Sequence, residues 1–512
     1  MSQNFSFALV NEPWIPCVLP HGGVEERGIL GTLEDAAGII RVADRSPLVT
    51  ASLHRLLLAV LHRVFGPEDE TAWQGIWGNG RFDQEALKEY LEGKCAGRFD
   101  LFHPERPFYQ VARFSGKVKE KENQACSLIQ DLSKDTLFDH YHEDQDYPLT
   151  PAFAARTLVA YQAYHRGGIF RPPVSFTDCP TARHATFLVH GNNLFETLCL
   201  NLLEYGDDRP IMGPGKDLPA WEQEPVELTL EQPRGYLDFL TWQSRQVRLV
   251  PEREGDSFLV RNALLGLGRK LSSDGKDVDP LAAYLRNKKE GYRAVPFREG
   301  KALWRDSSAI FSLRTEQSKP PKTLEWLARL KDHGSLPEEA FYSLDAFGAA
   351  TEPGQDKIHL WRQEHLPLPA AILDSEELLA MIPDAVDRAE IAANALNRAA
   401  RTFASDLLAH GDMPADKKEV SRQVEHLGVL SVFWPRLDEA FHRLLANLPK
   451  NPEAALEGWT AHLVRTARDS FDQAMRDLDR SARTTKAMVH ARGALNAGLA
   501  KIVELIGEEK AA

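Results

Sequence analysis

Ala385-Val386-Asp387-Arg388-Ala389-Glu390-Ile391-Ala392-Ala393-Asn394-Ala395-Leu396-Asn397-Arg398-Ala399-Ala400-Arg401-Thr402-Phe403 sets the fold class of this chain. Ala385, Ala389, Ala392, Leu396, Ala399, Phe403 and then Leu407 recur at three and four residues, one apolar stripe along an α-helix. Three more runs follow the same rule. Val420, Val424, Leu427, Leu430, Trp434, Leu437, Phe441 and Leu444 form the second, interrupted by Pro435, which should kink or divide it. Leu456, Trp459, Leu463, Ala467, Phe471, Ala474 and Leu478 form the third, and Met488, Ala491, Leu495, Leu499, Ile502 and Ile506 the fourth. Gly411-Asp412-Met413-Pro414 separates the first two, and Asn451-Pro452 reads as a cap followed by proline at the first helical position. Four amphipathic helices with short connections predict a C-terminal four-helix bundle.

Upstream the pattern changes. Residues 1–368 are mixed, loop-rich and punctuated by prolines. Short β-like runs such as Phe187-Leu188-Val189 and Val247-Arg248-Leu249-Val250 alternate with helical pieces at Leu48 to Val64 and Leu194 to Leu203. The tract from Asp208 to Pro225 is dense in Pro and Gly and reads as a long ordered loop, the kind usually functional or docked on a partner. Leu366-Pro367-Leu368-Pro369 is the natural junction. The predicted class is α+β: a large mixed N-terminal domain over 1–368, then the bundle over 369–512.

Composition bounds the function. The chain has 512 residues, 43% hydrophobic and 26% charged, as an ordinary globular protein does. Its longest apolar stretch, Leu53 to Phe65, is broken by His54, Arg55, His62 and Arg63 and is too short for a bilayer. No basic segment leads into an apolar run at the start, so no secretion signal is read. Five widely spaced cysteines form no Cys-x-x-Cys pair, which points to a reduced, cytoplasmic protein without disulfides or a zinc knuckle. A net charge of −13 argues against a protein that coats nucleic acid over its whole surface. Between Arg245 and Arg305, however, fourteen Lys or Arg face eight Asp or Glu, a local excess that suits either one basic patch or a solvated face.

Catalytic motifs fail on inspection. Gly266-Leu267-Gly268-Arg269-Lys270 begins like a dinucleotide fingerprint, but Leu271 stands where the third glycine belongs. Neither a phosphate-binding loop ending in Gly-Lys-Ser/Thr nor a Gly-x-Ser-x-Gly elbow occurs. His140 and His142, in Asp139-His140-Tyr141-His142-Glu143-Asp144, would share one face of a strand, but no second cluster completes a metal site. The reading is a non-enzyme without metal or cofactor. One stretch stands out for binding, Arg166-Gly167-Gly168-Ile169-Phe170-Arg171-Pro172-Pro173. Two adjacent glycines would strip a bend of Cβ atoms and let backbone amides approach a ligand, with arginines on both sides to meet phosphate. A Gly-Gly pair is also ordinary turn chemistry.

Several stretches resemble one family. Asn11-Glu12-Pro13-Trp14-Ile15-Pro16, Leu101-Phe102-His103-Pro104-Glu105-Arg106-Pro107-Phe108 and Phe176-Thr177-Asp178-Cys179-Pro180-Thr181-Ala182-Arg183 are similar to the large subunit (the CasA family) of the type I-E CRISPR Cascade surveillance complex. So are Gly300-Lys301-Ala302-Leu303-Trp304-Arg305-Asp306, Trp361-Arg362-Gln363-Glu364-His365-Leu366-Pro367-Leu368-Pro369 and the predicted bundle. The resemblance implies a subunit that recognises the PAM of double-stranded target DNA from the minor groove. It also implies help in opening the duplex for guide RNA and recruitment of a helicase-nuclease. By the same resemblance, Gly167 and Gly168 stand at a glycine loop, shorter here than in some members, Lys270 at a DNA-contacting lysine and Gln355 at a wedge. Phe138, in Thr136-Leu137-Phe138-Asp139, falls where the family places a loop reaching the guide RNA 5′ handle and neighbouring Cascade subunits.

The chemistry is compatible with those roles. The minor groove is narrow and its donor–acceptor pattern degenerate, so a slim backbone and one long donor suit it, and several PAM variants should be tolerated. A lysine offers three donors and neutralises phosphate. A side chain wedged between base pairs costs a few kcal/mol of unstacking per step. Without the resemblance, Lys270 reads as a solvated lysine and Gln355 as a turn residue. Phe138 suits a ring stacked on a base or set in a partner pocket and an ordinary buried ring equally well. A scaffold that docks subunits without reading bases, and a metal-dependent phosphodiesterase using His140 and His142, are the rival functions.

Overall fold

The computed structural model describes residues 5–114, 121–129, 147–171, 174–207, 210–213, 215–224, 229–255, 257–272, 279–287, 291–311, 316–337, 339–350, 358, 360–373, 375–409, 413–479 and 481–509. The chain divides into two compact units. The first comprises Met1–Glu299, Glu316–Pro337 and Phe341–His365; the second comprises Gly300–Thr315, Glu338–Ala340 and Leu366–Ala512. Two inserts that a single cut after residue 368 would give to the N-terminal domain therefore cluster with the helical unit.

In the first unit the helix α1 (Pro47–Val64) is buried from Leu48 through His62. Most of its polar side chains find partners inside the core, as burial favours, but among the described residues Nε2 of His54 and of His62 has none. His54 and His62 bond through Nδ1 to the carbonyls of Thr50 and Leu58, 2.8 Å each. Arg55 meets Asp279 at 2.8 Å, and the same carboxylate lies 3.2 Å from His184. A second helix, α2 (Pro151–Tyr164), packs on α1 and starts with Thr150, whose hydroxyl accepts from the Phe153 amide, and Pro151 at the first position.

The strands form small sheets. β1 (Lys121–Gln124) is an edge strand. β2 (Gly168–Arg171) and β3 (Val174–Phe176) make an antiparallel ribbon, Gly168 opposite Phe176. β4 (Thr186–His190) is followed by β5 (Leu230–Glu231) and the five-residue helix α3 (Tyr236–Leu240). β6 (Arg245–Glu254) and β7 (Ser257–Leu267) form a long antiparallel hairpin with an irregularity between Val260 and Asn262, and β1 adds to the free edge of β7. β8 (Lys270–Leu271) pairs in parallel with β5. β9 (Phe341–Ala350) lies between β4 and β10 (Leu360–Pro369), and the chain leaves the first unit within β10. The β-like runs at 187–189 and 247–250 thus sit in β4 and β6.

The second unit is helical. α4 (Glu376–Leu408) starts at Ser375, whose hydroxyl accepts from the Leu378 amide, and buries Ala385, Ala389, Ala392, Leu396, Ala399 and Phe403. The second predicted run is three helices rather than one or two. α5 (Lys417–Leu427) stops at Gly428, which adopts the left-handed conformation (φ 59°), and α6 (Val429–Phe433) follows. A 3₁₀ turn over Trp434–Arg436 holds Pro435, and α7 (Asp438–Asn447) resumes the run. α8 (Pro452–Met475) has the expected Asn451 cap, whose side chain accepts from the Ala454 amide. It buries Leu456, Trp459, Leu463, Ala467 and Phe471. α9 (Ala482–Glu509) packs on α4. Trp304 fills the core of this unit: its indole stacks on Phe441 (centroids 4.6 Å) and donates to Asp438 at 2.7 Å. Arg305 lies 3.5 Å over the Trp434 ring and pairs with Glu390 at 2.7 Å. The Gly300–Asp306 motif is therefore a packing element of the helical unit.

Candidate nucleic-acid interface

Lys270 opens β8, and its amide donates to the Thr229 carbonyl at 2.7 Å. The strand is two residues long, and a pair that short is not stable alone. Its neighbour holds it. The Arg269 guanidinium grips Asp238 with both terminal nitrogens, 2.6 and 2.8 Å, and reaches Glu231 of β5 through Nε at 2.5 Å. Its central carbon lies over the Trp242 ring, 3.8 Å from the centroid. Burial pushes the Asp238 carboxyl up, but the Arg269 fork outweighs it and holds the group below its ordinary value. Arg269 is buried just before the strand, whereas Lys270, its first residue, is half-buried. Among the described residues the Lys270 ammonium has no ion-pair partner.

The glycine segment is joined to the same frame. Gln162 of α2 accepts from the Arg245 amide at 3.0 Å and donates to its carbonyl at 2.9 Å. The buried Arg245 guanidinium donates to the Thr177 carbonyl at 2.6 Å and to His165 Nδ1 at 3.0 Å. Burial and the adjacent Arg245 charge keep His165 neutral, its pKa well below the usual value. From Arg245 the backbone runs to Gln243, whose carbonyl accepts from the Arg269 amide at 3.0 Å. Gly268 fits against this strand because a Cβ there would lie 2.6 Å from the Arg245 nitrogen. The glycines of the failed dinucleotide motif thus serve strand packing, and one continuous chain of bonds links the segment before Gly167 to Lys270.

A family model for "CRISPR-associated protein Cse1" matches residues 8–470. A CasA/Cse1 protein of Thermus thermophilus is 34% identical over 98% of both chains. The chain belongs to the CRISPR-associated Cse1 family. A crystal structure of CasA from Thermus thermophilus superposes with a TM-score of 0.82 at 31% identity, covering 97% of this chain and 100% of the other. A chain in a structure titled "CRISPR RNA-guided surveillance complex" shares the fold, with a TM-score of 0.73 at 22% identity over 96% of this chain and 100% of that one.

Against this Cse1 frame, two details depart from the reading of the glycine segment. Gly168 is a strand residue of β2, not the apex of a bend. The Gly167 amide is already engaged, donating to Asp178 at 2.7 Å, so it does not stand open for a ligand. Burial raises the Asp178 carboxyl, but the Arg183 guanidinium and the Gly167 amide prevail and hold it below its ordinary value. Gln355, Phe138, His140 and His142 lie outside the described residues. Among the described residues no group of three or more His, Cys, Asp or Glu is placed to hold a metal ion, and no helix is long and apolar enough to cross a membrane.

Sequence reasoning missed the clamp under Lys270. Arg269 was visible only as part of a failed motif, and its partner Asp238 lies 31 positions away on α3. It also missed Leu230, which faces Lys270 across the β5–β8 pair and is 72% exposed.

Proposed function

We propose that this chain is the large, non-catalytic subunit of an RNA-guided CRISPR surveillance complex and reads the PAM of double-stranded target DNA from the minor groove. In this reading Lys270 supplies the donor that meets base or sugar acceptors, the Gly167–Gly168 segment lies alongside the groove, and Gln355 enters the duplex to start its opening. Phe138 belongs to a contact with the guide RNA 5′ handle or a neighbouring subunit. Once guide and target have paired, the subunit recruits the helicase-nuclease; the complex works in the cytoplasm. The observation that carries the reading is a half-buried lysine with no ion-pair partner among the described residues, fixed on a strand by a buried guanidinium–carboxylate clamp. A donor held in place ahead of contact loses less freedom on binding than one on a mobile loop. Heteroduplex formation roughly balances the DNA pairing it replaces, so a small local opening decides where invasion starts.

A selection of duplexes randomised beside the target, made with the assembled complex with and without this subunit, tests the proposal. Enrichment of a short motif only when the subunit is present is expected. The same enrichment without it assigns PAM reading elsewhere and leaves this chain a scaffold.

A further inference from the structure

Leu230 and Lys270 occupy paired positions in the parallel β5–β8 ladder. Directly paired residues project from the same face of a sheet, so the leucine side chain stands beside the lysine side chain. Glu231 and Arg269, the neighbours of that pair, bond each other at 2.5 Å. Leu230 is 72% exposed, the most exposed large apolar side chain among the described residues. Single exposed leucines are common and ordinarily mean nothing. This one shares a face and a ladder position with the lysine proposed to meet DNA.

We propose that Leu230 is a second DNA contact, an apolar side chain that enters the minor groove beside Lys270 and packs against the sugar wall and base step there. The inference rests on the reading of Lys270 as a groove-facing donor and adds to it a contact of different chemistry. Proteins that work from the minor groove commonly set an apolar side chain next to a basic one, because the groove walls are deoxyribose carbon and its floor is polar. The leucine adds affinity by leaving water rather than by displacing counterions. Its energetic signature is therefore separable from that of the lysine.

The test uses the assembled complex and a labelled PAM duplex over a range of salt concentrations. Leu230→Ala is expected to weaken binding about tenfold, the scale of one buried leucine side chain, with an unchanged slope of log K against log salt. Lys270→Ala is expected to lower the slope by about one. Leu230→Met, which keeps the apolar length, is expected to bind like the unmodified complex. Unchanged affinity in Leu230→Ala while Lys270→Ala binds more weakly overturns the leucine contact and leaves the lysine reading intact. Unchanged binding in Lys270→Ala overturns the reading on which this one rests. A Leu230→Ala subunit that no longer enters the complex marks Leu230 as a subunit contact and also overturns the proposal.

Discussion

Arg269 holds Asp238 in a two-pronged grip, 2.6 and 2.8 Å, one residue before Lys270, the lysine proposed to meet DNA. Asp238 is fully buried and Arg269 nearly so. Removing one partner of such a pair leaves an uncompensated charge and costs about 3–5 kcal/mol. Asp238→Asn is therefore expected to lower the denaturant midpoint clearly. Arg269→Lys keeps the charge but not the fork. It should weaken PAM-duplex binding through a misplaced Lys270, with the salt slope retained, and parallel denaturation and binding curves check both expectations.

Buried histidines give the stability a pH dependence of known sign. Burial lowers His54 and His62 to about 4, so both stay neutral in the folded protein at pH values where the unfolded chain already binds protons. Stability is expected to fall as pH drops from about 6.5 toward 4. Burial raises Asp279 and Asp345, but Arg55 and His184 at the first, and His190 and His365 at the second, hold both at about 2. Their contribution is present above the ordinary carboxylate range and is lost only in stronger acid. Thermal unfolding at pH 7 and pH 5 should show the difference, and His62→Gln should narrow it.

Trp304 organises the helical unit. It is buried, stacks on Phe441 and donates to Asp438. Trp304→Ala is expected to cost about 3–5 kcal/mol of stability, as large-to-small core changes do. Calorimetry of the chain would record it as a loss in the transition of the helical unit.

Gln355→Ala should separate two steps. As a wedge, Gln355 contributes to opening more than to first contact, so permanganate reactivity of the target should fall further than PAM-duplex affinity. Equal losses in the two assays would contradict that role.

Much of the second unit was legible because its helices carry their signals locally. The Asn451-Pro452 cap and the Ala385–Phe403 stripe are read within a few turns. The break at Gly428 was not read, since a periodic stripe continues through the left-handed residue without a gap. In the first unit α1 shows no solvent face, because Arg55 is paired with Asp279 and each histidine is held through Nδ1 inside the core. The candidate interface was least legible. β5 and β8 have two residues each, too few for any period, and their geometry comes from Arg269 reaching Asp238 and Glu231. The Gly167–Gly168 pair suggested a turn, but its conformation follows from pairing with β3 and from the Asp178 carboxylate.

A structure of the assembled complex with a PAM duplex bound addresses the central claim most directly. The account predicts the Lys270 ammonium within hydrogen-bond reach of a minor-groove acceptor, about 3 Å, with the Arg269–Asp238 clamp intact beneath it. Lys270 facing solvent or another protein subunit, with the groove read from elsewhere, would contradict it.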